Sequence, residues 1–313
     1  MSKIMTMGEI LVEIMATQIG QSFRQAGTLV GPYPSGAPAI FLDQVAKLGF
    51  PCGIIGCVGA DDFGWVNVDR LKLDGADTST ITMLKNATTG SAFVTYKESG
   101  DRDFVFNIVN SASGQLSPAM VDENVLKGCT HFHVMGSSLF SAQIIEAMIK
   151  AIQIVKAQGG TISFDPNIRK EMLAIPEMRE ALVKILALTD LFLPSGDEVT
   201  LLVGAASEKE AVAELLRRGI QEIVVKHGAK GATFYDATQQ IDVPAILVEE
   251  IDPTGAGDCF GATFVTCRKM GKTPAEAMRY AVASGAKAVL KKGPMEGTAT
   301  FAELDAFLKD AAR

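Results

Sequence analysis

A short loop in the last quarter of the chain carries the residues best suited to chemistry. Residues 252–258 read Asp-Pro-Thr-Gly-Ala-Gly-Asp, and the pattern after them is typical of a helix that closes at Gly271. Gly255 and Gly257 lack a Cβ atom, so a ligand can approach the backbone closely, and N–H groups at a helix start favour an anion. Asp258 would stand beside that anion, where a carboxylate can accept a proton from a weakly acidic hydroxyl group. The alternative interpretation is structural, with Asp258 as the cap of the helix.

Two weaker patterns favour structural interpretations. Residues 271–273 read Gly-Lys-Thr, like the end of a Walker phosphate loop, but that loop needs a glycine where Thr266 stands. His131 and His133 stand two positions apart on a predicted strand and share a face, which would suit a metal ion. No third ligand is near them in the sequence, so packing within the strand is the favoured interpretation.

Alternating strands and helices dominate the chain from Cys129 onward. Continuous apolar runs predict strands, and apolar periods of three to four residues predict helices between them. The predicted strands cover 130–135, 161–164, 191–193 and 222–226, and the predicted helices cover 141–157, 177–187, 208–217 and 274–290. A strand-like stretch at 243–251 precedes the glycine loop, and 273–276 form a capping box. This alternation indicates a doubly wound α/β fold, a mostly parallel sheet flanked by helices.

The first third of the chain predicts a second, smaller sheet. A strand over 4–14 and helices over 39–48 and 65–73 fit the α/β core. Residues 21–30 and 91–109 instead alternate polar and apolar side chains, which a buried parallel sheet does not tolerate. We interpret them as strands of a small β-sheet lid that projects from the core. The predicted division is a core of 1–14, 34–84 and 112–313 and a discontinuous lid of 15–33 and 85–111.

Charge and composition exclude some classes of partner. The chain has 313 residues, 48% of them hydrophobic, which suits a globular protein of one large domain or two ordinary ones. The net charge of −7 and the pI near 5.1 argue against nucleic acid, because duplex binding needs a basic face. No apolar run is long enough for a bilayer, and the N-terminus lacks the pattern of a signal peptide. Five cysteines without a C-x-x-C pair indicate reduced thiols, so we expect a cytoplasmic protein without a membrane partner.

Five motifs together resemble those of the ribokinase-like (pfkB-type) carbohydrate kinases. Besides 252–258, they are Gly-Cys-Val-Gly-Ala-Asp-Asp-Phe-Gly at 56–64, Ser-Gly-Ala-Pro-Ala at 35–39, Asp-Pro-Asn-Ile-Arg at 165–169 and Gly-Ala-Lys-Gly at 228–231. They follow the order of that family over nearly the whole chain. The resemblance implies a ribokinase-like fold, ATP and Mg²⁺ as cofactors, and Asp258 as a catalytic base rather than a helix cap.

The resemblance also implies a role for each matching residue. An anion hole beside Asp258 is implied for Gly255, Ala256 and Gly257. Nucleotide contacts are implied for Lys226, Gly228, Lys230, Gly231, Thr254, Gly255 and Gly257, and magnesium held through water for Glu198. Contacts to the sugar or to the phosphate channel are implied for Glu13, Gly36, Ala37, Asn107, Asp165, Asn167 and Arg169. A monovalent cation near Asp252 and a homodimer formed through the lid complete the expectation.

Three departures from the family pattern bear on these roles. Ile40 replaces the asparagine that usually ends the sugar-contacting turn, and Ser195 opens the N-x-x-E-like motif that ends at Glu198. Family members that act on 2-keto-3-deoxygluconate pair the substrate carboxylate with a lid arginine. Here Ile108 takes that position, with Asn107 beside it, and an apolar side chain cannot pair with a carboxylate.

The resemblance therefore implies an ATP-dependent kinase for the terminal hydroxyl group of a ketohexose of the fructose or tagatose type. A kinase for a sugar acid is the main alternative, with Arg169 or Arg102 in place of the missing lid arginine. A nucleoside kinase is less favoured, because no aromatic pair is placed to hold a second base. A sugar-binding regulator without catalysis is disfavoured by Asp258, since a protein that only binds has little use for a base.

Overall fold

Strands and helices alternate along most of the chain in the computed structural model, which describes residues 2–99, 102–168 and 176–311. The strands are β1 (Lys3–Met7), β2 (Leu11–Ala16), β3 (Leu29–Ser35), β4 (Cys52–Gly59), β5 (Ile81–Leu84), β6 (Gly90–Tyr96), β7 (Arg102–Asn107), β8 (Cys129–Met135), β9 (Thr161–Asp165), β10 (Leu191–Phe192), β11 (Glu222–Lys226), β12 (Ala232–Tyr235) and β13 (Gln240–Val243). The helices are α1 (Ala37–Lys47), α2 (Asp62–Leu73), α3 (Ala142–Ala157), α4 (Pro176–Leu186), α5 (Glu198–Val203), α6 (Glu208–Arg217), α7 (Ala256–Lys269), α8 (Pro274–Ala288) and α9 (Phe301–Ala311).

A large sheet is built from strands in the order β13-β12-β11-β10-β9-β8-β1-β4-β5. The strands from β11 to β5 pair in parallel, and β12 and β13 add an antiparallel edge. Every residue of β4 is buried, as a parallel strand between two helix layers requires. Because the strands are parallel, their carboxyl ends meet at one edge of the sheet, which is named the carboxyl edge. Ligand sites of open α/β sheets lie at that edge.

Helices cover both faces of the large sheet. On one face α1, α7 and α8 pack with the strands around Phe41, Phe234 and Phe264. On the other face α3, α4 and α6 pack around Phe164 and Phe192. One apolar cluster on each face confirms the doubly wound α/β fold that the alternation of strands and helices predicts.

A separate, smaller sheet has the strand order β3-β2-β6-β7 and is named the lid. Its strand β2 runs antiparallel to β3 and parallel to β6. The expected single strand over 4–14 is therefore wrong, because the chain leaves the large sheet after Met7 and joins the lid at Leu11. At Gly8 an added Cβ atom would stand 2.0 Å from Oγ of Ser138, so this junction between the sheets requires glycine.

Most other expected elements agree with the structure within a few residues. The helix Glu208–Arg217 and the strand Glu222–Lys226 have the expected bounds. Thr273 and Glu276 form the expected capping box, with each side chain bonded to the backbone N–H of the other residue. Continuous apolar runs and caps are local signals, which explains this agreement.

Two further expected strands are wrong. The strand expected over 243–251 does not form, since β13 ends at Val243 and Pro244 has no N–H to continue the ladder. The strand expected over 21–30 does not form either. Only Leu29 and Val30 of that stretch belong to β3, and exposed turns precede them.

Candidate active site

The glycine loop of residues 252–258 leads directly into α7. Gly255 is the residue that precedes the helix, with a φ of 85°, and no side chain caps it. A Cβ atom on Gly255 would lie 2.6 Å from the carbonyl oxygen of Pro294, so both conformation and space require glycine there. N–H groups of a first helical turn have no partner inside the helix and favour an anion. Since Gly255 holds the cap position, Asp258 lies within the first turn, and the interpretation of Asp258 as the cap is wrong.

Asp252 fixes the beginning of the glycine loop. Its buried carboxylate accepts hydrogen bonds from the N–H and hydroxyl groups of Thr254, at 3.1 and 2.8 Å. It also accepts one from the N–H of Gly293, at 3.0 Å. The N–H of Asp252 in turn donates to the carbonyl oxygen of Val289. Hydrogen bonds within the protein therefore preorganise the loop.

Asp258 has an acidic environment, although its side chain keeps some access to the adjoining cavity. Burial, followed by the negative charge of Asp165, raises the pKa of Asp258 to about 8, while the ammonium group of Lys226 opposes this rise. The charges of Glu9 and Glu13 add smaller increases to the same pKa. A carboxyl group that titrates near neutral pH is suited to accept and release a proton during a reaction.

Lys226 and Asp165 form a buried ion pair next to this helix start. The ammonium group of Lys226 donates a hydrogen bond to the carboxylate of Asp165. Burial alone would lower the pKa of Lys226, but the charges of Asp165 and Glu198 outweigh it, so the pKa lies above its ordinary value. Lys226 Nζ would stand 3.5 Å from a Cβ atom added to Gly257. A permanent positive charge thus lies against the first turn of α7.

Glu198 is held in place by two backbone N–H groups. Its Oε1 accepts a hydrogen bond from Ile168 and its Oε2 accepts one from Ser195, both at 2.6 Å. Burial and the charge of Asp165 raise the pKa of Glu198. Each carboxylate oxygen retains a further lone pair, so this fixed group can also accept a hydrogen bond from water.

Asp258, the Lys226–Asp165 ion pair and Glu198 line a cavity of about 290 Å³, named the first cavity, between the carboxyl edge and the lid. The large sheet and its loops contribute Glu9, Ser137, Asp165, Asn167, Glu198, Lys226, Pro253, Thr254, Gly255, Gly257 and Asp258. The lid contributes Leu11, Glu13, Ala92, Arg102, Phe104, Phe106 and Ile108. Among the described lining residues, five of the seven charged side chains thus lie on the wall that the large sheet and its loops form, whereas aromatic and aliphatic groups dominate the lid wall.

A second cavity of about 320 Å³ adjoins the first at the start of α7. Its lining is mainly apolar and includes Ile246, Leu247, Val248, Phe260, Val282 and Val289. Lys226, Pro253 and Gly257 line both cavities, so the helix start stands where the two meet. Two chambers with different chemistry therefore meet at the backbone N–H groups of one helix start.

The structure brings together most of the residues singled out from the sequence. The first cavity includes Glu13, Gly36, Ala37, Asp165, Asn167, Glu198, Lys226, Thr254, Gly255, Gly257 and Asp258. The second includes Lys226, Gly228, Gly231, Ala256 and Gly257, and Lys230 lies beside Gly228 in an adjoining groove. Arg169 falls outside the described residues, so its expected place at the phosphate channel stays a prediction.

Asn107, expected to contact the sugar, does not line the first cavity. Side chains alternate along a strand, and the inward residues at this end of the lid are Arg102, Phe104, Phe106 and Ile108. Asn107 is exposed on the opposite face. The apolar side chain of Ile108 therefore faces the cavity, and its replacement of a lid arginine stays a prediction.

Glu9 was not singled out from the sequence, yet it lines the first cavity together with Glu13. Its carboxylate accepts hydrogen bonds from the hydroxyl groups of Ser137 and Ser138, at 2.8 and 2.5 Å, just after β8. A signal for it was available, because Glu9 follows a buried parallel strand much as Asp165 ends one. Polar residues at such strand ends meet at the carboxyl edge.

Comparison with known proteins identifies the kind of site. The family model described as pfkB family carbohydrate kinase matches residues 1–300. The chain belongs to this family. The kinase is accordingly a phosphotransferase with a sugar as acceptor, as the resemblance of its motifs implies.

Known relatives are similar to the kinase over nearly its whole length. Fructokinase-2 of Zea mays is 32% identical over 308 residues, which cover 96% of the kinase and 92% of the relative. A protein of E. coli provisionally named ribokinase II is 57% identical, with a TM-score of 0.97 over 99% of the kinase and 100% of that chain. A second E. coli structure of that name contains ATP and Mg²⁺. A double mutant of Vibrio cholerae fructokinase with fructose, ADP and potassium is 27% identical, with a TM-score of 0.85 over 98% of both chains.

The two histidines on β8 pack inside the kinase. His131 Nε2 and His133 Nδ1 lie 2.7 and 2.8 Å from the same hydroxyl oxygen, Oγ of Ser163 on β9. Burial lowers the pKa of His131 to about 3, so its imidazole stays neutral. This arrangement agrees with the packing role favoured from the sequence.

Among the described helices, none is both long and apolar enough to cross a membrane.

Proposed function

We propose that the kinase transfers the γ-phosphoryl group of ATP to the terminal hydroxyl group of a neutral ketohexose, with fructose as the first candidate. The observation that carries this proposal is the place of Asp258, in the first turn of a helix whose start both cavities share. A sugar in the first cavity and a nucleotide in the second would meet at the N–H groups of Gly255, Ala256 and Gly257. The fructokinase relatives support this choice of sugar.

The second cavity fits a nucleotide. Its apolar lining suits the faces of a base, and Gly228 and Gly231 let a ligand approach the backbone. Lys226 stands at the junction of the cavities with the charge that phosphate requires, and Lys230 lies in the groove beside it. The ATP in the E. coli relative supports the same choice.

Magnesium and a monovalent cation are assigned to different carboxylates. Both oxygens of Glu198 accept backbone N–H groups, so this residue would hold Mg²⁺ through water, an arrangement that the ion favours. When bound, Mg²⁺ neutralises charge on the phosphate oxygens. The carboxylate of Asp252 accepts three hydrogen bonds, so a monovalent cation beside it would take most of its ligands from other groups. The potassium ion in the Vibrio cholerae enzyme supports this second assignment.

In the proposed reaction Asp258 acts on the sugar and the glycine loop acts on the transferred group. The hydroxyl oxygen of the sugar forms a bond to the γ-phosphorus while the bond to the β-phosphate oxygen breaks, and ADP leaves. Asp258 accepts the proton of the hydroxyl group, which is too weak an acid to react unassisted. The N–H groups of Gly255 and Gly257 stabilise the charge on the transferred group.

The carboxylates of Glu9 and Glu13 favour a neutral sugar. Both line the first cavity, and both contribute to the raised pKa of Asp258, so their charge is felt across the cavity. A sugar acid would bring another negative charge into this space, and Ile108 offers no counter-charge. Carboxylates are suited to accept hydrogen bonds from the hydroxyl groups of a neutral sugar. The name of the E. coli relative makes ribose the second candidate.

Two copies of the kinase would associate through their lids. Val105 and Leu29 are 54% and 40% exposed, and they line a shallow groove on the lid with Phe23 and Phe93. A second lid would remove this apolar surface from water. We propose the division into core and lid given above, except that residues 11–14 of β2 and 34–35 of β3 move into the lid.

An assay that couples ADP release to a visible signal tests the substrate. We expect kcat/KM for fructose or tagatose to exceed that for 2-keto-3-deoxygluconate and for ribose by at least about tenfold, or about 1.4 kcal/mol. The Asp258→Asn variant serves as control, because activity from a contaminating kinase would survive that change. A tenfold preference for the sugar acid or for ribose would contradict the proposal and identify the substrate class instead.

A further inference from the structure

One side chain of the lid reaches the glycine loop. Arg102, the first residue of β7, donates a hydrogen bond from Nη1 to Oγ1 of Thr254 at 2.7 Å. Thr254 immediately precedes Gly255, the residue at the cap of α7. Arg102, Thr254 and Asp258 all line the first cavity. The guanidinium group therefore lies at the end of the cavity where the two chambers meet.

Among the described residues, two cationic side chains line the first cavity, those of Lys226 and Arg102. Their hydrogen-bond partners differ in charge. Lys226 is committed to the carboxylate of Asp165, whereas the hydroxyl partner of Arg102 is neutral. A guanidinium group carries five N–H donors, and the bond to Thr254 uses only one of them. The group also lies over the ring of Phe104, 5.4 Å from its centre, which restrains its position.

We propose that Arg102 is a catalytic residue that contacts the phosphoryl group during its transfer. This inference rests on the proposed function, because it needs ATP and a sugar in the adjoining cavities. As the sugar oxygen bonds to phosphorus and ADP leaves, negative charge spreads over the three equatorial oxygens. The guanidinium group donates to those oxygens from the lid, while the N–H groups of Gly255 and Gly257 donate from the helix start. Thr254 holds it near that position beforehand.

The place of Arg102 on the lid has a functional consequence. The positive charge of Arg102 completes the active site only while the lid is closed over the first cavity. A sugar that contacts Glu13 on β2 favours this closed position, because β2 and β7 belong to the same small sheet. Without a sugar, the γ-phosphoryl group of ATP is then transferred to water only slowly, with release of ADP. Specificity of this kind arises when the correct substrate assembles the catalytic groups.

The first experiment compares Arg102→Gln with Arg24→Gln. Arg24 is an exposed cation in the segment before β3, so it controls for the loss of one positive charge. We expect Arg102→Gln to lower kcat by about 10²–10³-fold, the loss typical of removing one donor that stabilises transition-state charge, and Arg24→Gln to leave it unchanged. In Arg102→Ala, added guanidinium ion should restore kcat at least tenfold. A kcat near that of the wild type in Arg102→Gln would overturn the proposal.

A second experiment separates catalysis from simple attachment of the lid. Thr254→Val removes the hydroxyl partner but leaves the arginine, so its kcat should fall at least tenfold less than that of Arg102→Gln. We also expect Arg102→Gln to weaken binding of ADP with aluminium fluoride, a mimic of the transferred group, at least tenfold, with ADP binding unchanged. Unaltered binding of the mimic in Arg102→Gln would show that Arg102 only fastens the lid.

These results are independent of the identity of the sugar. Each variant is measured with whichever sugar gives the wild-type kinase its highest kcat/KM. If fructose is not phosphorylated but another sugar is, the proposed substrate fails and the role of Arg102 is still tested. If fructose is the substrate and Arg102→Gln keeps full kcat, only the role of Arg102 fails.

Discussion

The ammonium group of Lys226 donates a hydrogen bond to the carboxylate of Asp165, 61 positions earlier in the chain. The two residues end β11 and β9, which stand on either side of β10 in the large sheet. Their charges act in opposite directions on Asp258, since Asp165 raises its pKa and Lys226 lowers it. Burial raises the pKa of Asp258 most, and the ion pair adjusts that pKa in both directions, so it influences the pH at which the proposed base can work.

The pH dependence of activity should follow the ionisation of Asp258. With a pKa of about 8, this carboxyl group is protonated at lower pH and cannot accept a proton. We expect kcat/KM for the sugar to rise about tenfold per pH unit below that pKa and to level off above it. Asp165→Asn should move the rise to lower pH, because it removes the neighbouring negative charge. A profile that keeps its position in Asp165→Asn would contradict this assignment.

The stability of the folded kinase should depend on pH with the opposite sign. Folded Asp258 binds its proton more tightly than the unfolded chain does, because its pKa is raised from 3.8 to about 8. The free energy of unfolding should therefore fall as pH rises through that window. Asp258→Asn should lessen the fall, which urea unfolding at several pH values would measure. An identical slope in both proteins would show that the pKa of Asp258 is not raised.

Asp258→Asn should abolish most activity while the fold remains. Gly255 rather than Asp258 precedes the helix, so the change leaves the helix cap untouched. We expect kcat to fall about 10²–10⁴-fold, with far smaller changes in the binding of sugar and ATP. Asp62→Asn is the matched control, since Asp62 is also an acidic residue in the first turn of a helix, α2. A normal kcat in folded Asp258→Asn would disprove the catalytic role.

Gly255→Ala and Gly257→Ala should have different effects, the first on the stability of the fold and the second on the approach of a ligand to the loop. In Gly255→Ala the new Cβ would stand 2.6 Å from Pro294 O at a φ of 85°, so we expect a loss of about 1–3 kcal/mol in the free energy of unfolding. In Gly257→Ala the nearest atom is Lys226 Nζ at 3.5 Å, so stability should hold or rise. That variant should instead show a raised KM for ATP, because its methyl group stands where the cavities meet. Equal stability of the two variants in urea would contradict this reading of the loop.

A charge on the outer face of the lid should prevent association of two copies. Val105→Lys places an ammonium group in the apolar groove, and we expect sedimentation to show a shift from dimer to monomer. Leu73→Lys is the matched control, since Leu73 on α2 is 81% exposed and lies outside that groove. A wild-type kinase that sediments as a monomer at micromolar concentration would remove the proposal.

Patterns confined to one stretch of sequence predicted much of the fold. The glycine loop and β11 were visible because their spacing and apolar content are local. No such pattern divides residues 4–14 into the two strands that the structure contains, because both halves of the stretch are apolar. What separates the halves is contact with Ser138, whose hydroxyl group binds the carboxylate of Glu9 across 129 positions. That contact cannot be read from the sequence, and the local signal that goes with it is the polar residue Glu9 placed just after an apolar strand.

The candidate site was predictable at the glycine loop, where the spacing of the motif fixes the position of each residue in the first helical turn. It was less predictable on the lid strand, where the side chain's face depends on the register of the strand. Asp258 follows from the motif alone, since three residues after Gly255 is a first-turn position. Asn107 and Ile108 differ by one position on a strand with a period of two, and such a shift moves a side chain to the other face. Pro244 offered a usable signal against the strand at 243–251, because proline cannot continue a ladder.

The position of β1 inside the large sheet has a consequence for synthesis of the chain on the ribosome. This first strand lies between β4 and β8, and Ser2 beside it contacts Thr130, 128 positions later. The emerging polypeptide can pair β1 with β4 early, but the other side of β1 has no neighbour until β8 has been translated. Throughout that interval an apolar strand edge is open to other nascent chains. The time needed to translate the segment between β4 and β8 therefore determines how long the growing kinase is exposed to aggregation.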